Sequence, residues 1–182
     1  MRIFIIGFNR TGTKSLDNFF SKNGLSTKHW DQGRIARKIK HNFLEGKPLL
    51  KDYNDCLVFS DMEDYKRLNY AHIDYFKELY NQYPDSKFIL NIRNINNWIE
   101  SRNNHLKGWY VIELCKIIGC NKNELNKRWK KEFIEHIKNV KDFFKDKKDK
   151  LLVFDIEKDK IEKVIQFIPE YKLDNNFFEH IR

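Results

Sequence analysis

The chain has 182 residues, 41% of them hydrophobic and 15% aromatic, which is enough apolar material to close one core and excludes wholesale disorder. Its 35 Lys and Arg against 26 Asp and Glu give a net charge of +9, an excess that favours anionic ligands without choosing among them. Three scattered cysteines exclude a disulfide framework and lack a CxxC spacing for zinc, and no apolar run approaches the roughly 18 residues of a membrane span. These features predict a single domain over residues 1–182, with reduced thiols and a cytoplasmic location.

The first element is a short β-branched and aromatic run, RIFIIG over residues 2–7, which ends in glycine as a buried strand should. From Thr13 the period changes: Leu16, Phe19 and Phe20 share a helical face, and Gly24 terminates it. Between strand and helix lies GFNRTGTKS. Gly7 and Gly12 have the separation of a phosphate-binding P-loop, but Thr13 stands where its lysine belongs, and Lys14 and Ser15 arrive one position late. A glycine loop opening a helix still aims backbone amides and the helix N-terminus at an anion.

Three further strands follow, CLVFSD (56–61), KFILNIR (87–93) and KLLVFDI (150–156), each apolar and turning polar at its C-terminal end. The spacing predicts helices over 64–82, with Leu68, His72, Tyr75, Phe76 and Leu79 on one face, over 123–146, and over 157–168 before Pro169. Near-continuous apolar strands separated by helices predict a three-layer α/β/α domain around a parallel sheet, with ligands at the carboxyl ends of the strands.

The run Gly7 to Leu16, of the form G-x-x-R-T-G-T-x-S-L, resembles the 5′-phosphosulfate-binding loop of the sulfotransferase family. NIRNINNWIES adds a second similarity, Arg93 at the end of a strand and Ser101 eight residues later on the following helix. The resemblance implies a P-loop-related sulfotransferase fold. It also implies that 3′-phosphoadenosine 5′-phosphosulfate (PAPS) is the donor and 3′,5′-bisphosphoadenosine (PAP) the product, with no metal. It places Arg10, Thr11, Gly12, Thr13, Lys14 and Ser15 on the 5′-phosphosulfate. Arg93 and Ser101 would hold the 3′-phosphate, a sensible use of a cationic fork and a hydroxyl. Lys14 would stabilise the leaving phosphate. The base that takes the acceptor's proton is sought among Asp61, at the end of a strand, His29, just after the first helix, Glu63 and His105. His72 and His136 read as core histidines, and Trp30, Trp98, Trp109 and Tyr110 as core or as stacking platforms. Where family members often carry proline two residues after the strand-end aspartate, this chain has Glu63, so the acceptor side is its own. The chain is also shorter than the large cytosolic enzymes and is expected to lack their long C-terminal cofactor loop. The expected acceptor is a small molecule or a glycan. Nucleic acid is not expected, because basic residues alternate with acidic ones. The competing readings are a small magnesium-ATP kinase and an inactive nucleotide-binding protein of the same fold.

Overall fold

In β1 (Ile3–Ile5) every side chain is buried, and the strand is paired in parallel on both sides. A strand covered on both faces and both edges has no use for polar residues, which is why IFII (3–6) reads as an unbroken apolar run. The computed structural model describes residues 1–181. Its main sheet also contains β2 (Thr27–His29), β3 (Val58–Ser60), β6 (Lys87–Ile92) and β7 (Leu151–Asp155), all parallel, in the order β2-β3-β1-β6-β7. A separate antiparallel pair, β4 (Glu63–Asp64) and β5 (Asn69–Tyr70), follows β3. The fold is thus α/β with a central five-stranded parallel sheet, as the strand runs predict.

The strand period sorts the core into two layers. Ile3 and Ile5 face α1 (Thr13–Lys22), burying Leu16, Phe19 and Phe20 beside Phe154. Phe4 and Ile6 face the opposite way, onto Ile35 and Ile39 of α2 (Arg34–Leu44), Phe76 and Leu79 of α4 (Phe76–Gln82) and Phe144 of α7 (Lys122–Phe144). A third apolar cluster joins Trp98 of α5 (Ile95–Asn103) and Leu114 of α6 (Trp109–Ile118) to Trp129 of α7, beneath Phe8 in the glycine loop.

Three departures from the sequence expectation have physical causes. Strand β2 is a three-residue edge strand, half exposed and polar, so it carries no apolar run to announce it. The helix expected over 64–82 begins only with α3 (Ala71–Asp74), breaks at Tyr75 and resumes as α4. Before it, Asp64 is buried and accepts from Arg37 Nη1 at 2.7 Å and Arg67 Nη1 at 2.8 Å, while Leu68 adopts a left-handed φ of 49°. Those ion contacts fix a β-turn-like excursion that helical periodicity does not register. The last predicted helix shortens to α8 (Glu162–Phe167), because Asp155 and Asp159 form a turn ahead of it.

The chain runs from β1 outward to β2, returns to β3 and then crosses to β6 on the other side of β1. The strand order therefore reverses at the carboxyl end of β1, where open parallel sheets leave a crevice for ligands. Residues 7–12 occupy that end.

Candidate active site

The glycine loop is held from β6. Asn91 accepts from the Gly7 amide at 2.8 Å and donates to the Thr11 carbonyl at 3.1 Å and the Thr11 hydroxyl at 2.7 Å, so one side chain staples both ends of the loop. A Cβ on Gly7 would lie 2.0 Å from the Asn91 carbonyl oxygen, which only glycine avoids. Gly12 has a left-handed φ of 89° and lies against Ile156, where a Cβ would fall 2.6 Å from a side-chain carbon. It offers no side-chain cap to α1. The first amides of α1 therefore have neither an i−4 carbonyl nor a capping side chain, the arrangement that receives an anion.

Asn9 and Arg10 project from the loop's crest. Arg10, at a left-handed φ of 66°, donates from Nε to Ser101 Oγ at 3.1 Å. Burial lowers its pKa first, and the neighbouring Arg93 charge lowers it further, with Asp61 opposing. Two guanidinium groups close enough to repel each other favour an anion between them. The loop, Arg93 and Ser101 thus meet at one end of the sheet. Within that group the resting partners differ from the expected pairing. Ser101 bonds Arg10, whereas Arg93 Nε bonds Glu157 Oε1 at 2.6 Å, and Asn97 and the Asn94 amide hold the same carboxylate.

The remaining loop residues divide by orientation. The Thr11 hydroxyl donates to the Phe8 carbonyl within the loop and accepts from Asn91 of β6. Thr13 is buried, Lys14 is exposed, and buried Ser15 accepts from the Ile181 amide at 2.9 Å on the far side of α1.

Beside the loop, β3 ends in a buried acidic cluster. Asp61 follows the strand with a left-handed φ of 52°, and the Glu63 amide donates back to its carbonyl at 2.8 Å, so both carboxyls turn to the same end. Burial raises the Asp61 pKa well above the ordinary aspartate range, and Glu63 adds to the rise. Glu63 is pushed up to about 7, again by burial first, with Arg102, Tyr110 and Asn9 opposing. Each carboxyl keeps one oxygen without a partner among the described residues, Asp61 Oδ1 and Glu63 Oε2. His29 Nε2 stands 3.6 Å from Asp61 Oδ2, and its Nδ1 shares a 2.8 Å hydrogen bond with Ser60 Oγ. Burial and then Lys14 lower its pKa to about 4, so near neutral pH His29 is uncharged and its contact with Asp61 is not an ion pair. His105 is half-buried with its ring 5.3 Å from Tyr110, and burial lowers its pKa too.

The structure also brings in groups that the motif does not name. Asn91 was visible only as a polar residue interrupting an apolar strand. Arg102, 1% exposed, follows Ser101 and lies within 4.1 Å of the Trp129 ring centroid and 4.8 Å of that of Trp98. Tyr110 and Trp98 are core members, with Trp98 Nε1 donating to the Asn9 carbonyl at 2.9 Å, whereas Trp30 and Trp109 are exposed. His72 and His136 are buried as expected, and His136 shares a 2.7 Å hydrogen bond with the Ile6 carbonyl. Among the described residues no group of three or more His, Cys, Asp or Glu could hold a metal ion, all three cysteines are free, and no helix is long and apolar enough to cross a membrane.

A parallel α/β sheet thus carries a glycine loop at its switch point, a basic pair beside it and an acidic cluster at the end of β3, an arrangement suited to an anionic ligand. The sulfotransferase domain model matches residues 2–119, well over half of the chain, and the chain belongs to that family. The matched segment carries the loop, His29, Asp61, Glu63, Arg93, Ser101 and Arg102, and ends after α6. Its general chemistry is sulfuryl transfer, which makes the chain a transferase. No curated protein matches it.

Proposed function

We propose that this protein moves a sulfuryl group from PAPS to a hydroxyl or amine of a small-molecule or glycan acceptor, in the cytoplasm and without a metal. One observation carries the reading. Arg10 reaches from the glycine loop to Ser101 at 3.1 Å and shares its surroundings with Arg93, so one adenosine with phosphate groups at both ends finds cations and donors for each. The donor set suits such a ligand: uncapped helix amides, two crowded guanidiniums and a serine hydroxyl.

The donor would supply an activated sulfuryl group as a phosphosulfate anhydride, whose bridging S–O bond would break with the electron pair left on the phosphate oxygen as a new S–O bond forms to the acceptor. The chain's residues position and neutralise, as in phosphoryl transfer. The amides at the start of α1, with Lys14 and Arg10, stabilise charge on the leaving phosphate. Arg93 and Ser101 orient the 3′-phosphate, for which Arg93 must share or surrender its contact with Glu157. The acceptor's proton goes to the carboxyl cluster at the end of β3, with Asp61 the receiving group and His29 beside it. Asp61 Oδ1 and Glu63 Oε2 are the bare acceptor atoms there among the described residues.

Thermal-shift measurements with PAP and with magnesium-ATP, on wild type, Arg93→Ala and Lys14→Ala, test the proposal. Stabilisation by PAP that Arg93→Ala weakens and EDTA leaves unchanged is expected. Stabilisation by magnesium-ATP alone, indifferent to Arg93, would overturn the donor assignment in favour of the kinase reading.

A further inference from the structure

Arg102 is a buried cation with no role in the scheme above. It lies on α5 next to Ser101, inside a cage of Trp129, Trp98, Tyr110 and Phe8, with its guanidinium carbon 4.1 to 5.9 Å from their ring centroids. A buried guanidinium in an aromatic cage is held rigidly but remains costly unless its charge is used. Its single hydrogen bond among the described residues runs from Nη2 to the Tyr110 hydroxyl at 2.7 Å, while Nε and Nη1 have no partner.

The hydrogen-bond inventory around Tyr110 fixes the direction of the network. The Tyr110 oxygen accepts from Arg102 Nη2 and from Asn9 Nδ2, at 2.7 and 3.1 Å, which occupies both lone pairs. Its one proton is then left for Glu63 Oε1, 3.4 Å away, and Asn9 Nδ2 donates to the same oxygen at 2.8 Å. Glu63 Oε1 thus receives two donors, one of them polarised by a cation, and hydrogen bonds of that kind favour the ionised carboxylate. Asp61, two residues earlier, receives none on Oδ1.

We infer that Arg102 is a positioning residue for the proposed transfer: through the Tyr110 hydroxyl it makes Glu63 the first of the Asp61–Glu63 pair to ionise, so that Asp61, ionising last, is the stronger base and takes the acceptor's proton. Other charged or titratable groups bear on the pair from every side. Arg10 comes from the loop, Asp17 from α1, His29 from β2, Asp64 from β4, Tyr65 from the turn after it and Tyr70 from β5, while His72 of α3 and His105 after α5 bear on Arg102. Of these only Arg10 is a permanent cation, and it is committed to the loop and Ser101.

The inference rests on the transferase reading for its purpose, but its test needs neither donor nor acceptor. Carboxyl 13C resonances of Asp61 and Glu63 are titrated in wild type, Arg102→Gln, Arg102→Lys and Tyr110→Phe. In wild type Glu63 ionises at lower pH than Asp61. Arg102→Gln raises the Glu63 titration by about one pH unit or more, the scale on which one neighbouring charge moves a carboxyl. Arg102→Lys gives a smaller rise, because the charge is kept while the fork geometry is lost. Tyr110→Phe raises Glu63 with the cage cation still present, and decides the matter if Arg102→Gln does not fold. Glu63 titrations in Arg102→Gln or Tyr110→Phe that superimpose on wild type would overturn the inference, leaving Arg102 a packing residue. PAP binding measured on the same samples is independent: its absence sinks the donor assignment and leaves the titration result standing.

Discussion

Asn91 is the residue on which the glycine loop depends most. It satisfies the buried Gly7 amide and the Thr11 carbonyl and hydroxyl at once, so alanine there strands several buried polar groups. We expect Asn91→Ala to cost about 2–4 kcal/mol in urea denaturation and to weaken PAP binding more than distant substitutions of equal cost. Gly7→Ala, which must displace the β6 backbone, is expected to be at least as damaging. The buried titratable groups give a signed pH dependence. Glu63 holds its proton up to about 7 when folded, against an ordinary 4.5. Between those values the folded state binds more protons than the unfolded one. Its contribution to stability is therefore full below 4.5 and is lost as pH rises through 7. His72 and His136, lowered to about 3 and about 4 by burial, act oppositely: their contribution is present above 6.5 and lost as pH falls. Denaturation midpoints measured from pH 5 to 8 should therefore decline less towards high pH in Glu63→Gln than in wild type. Glu63 and Asp61 were legible in the sequence as strand-end carboxyls. Their burial and mutual influence were not, because the charge state of Glu63 depends on Tyr110 and Asn9, 47 and 54 residues away.

At the scale of elements, the sequence marks the helices that announce their own ends. Helix α7 opens with a capping box in which Asn121 accepts from the Asn123 and Glu124 amides and Glu124 returns a bond to the Asn121 amide. Asn121→Ala should lower stability by about 1 kcal/mol, read as a shift of the urea midpoint at unchanged slope. Strands β1, β3, β6 and β7 were legible because their runs are mostly apolar, even in the edge strand β7. Elements with a polar rationale escaped. Strand β2 is an edge, and the β4–β5 pair exists because Asp64 meets Arg37 and Arg67, contacts made across 27 residues in one case and three in the other.

For the whole molecule, the net charge of +9 and the cluster of Arg10, Arg93 and Lys14 at one end of the sheet predict a salt-dependent encounter with anionic ligands. Exposed charges are screened beyond about 10 Å at 0.1 M salt. Raising ionic strength from about 0.05 to 0.3 M should therefore weaken PAP binding several-fold by calorimetry, while leaving the urea midpoint nearly unchanged.

The sequence by itself determined the alternation of strands and helices, the loop from Gly7 to Leu16 and the presence of a basic and an acidic set of candidate residues, since these rest on local period and spacing. Only the tertiary structure decided how those sets are partnered: Ser101 with Arg10, Arg93 with Glu157, and Glu63 with Asn9, Tyr110 and a caged Arg102. Hydrogen bonds and buried charges are fixed by distances of a few ångströms between residues far apart in the chain, and no one-dimensional pattern carries those distances.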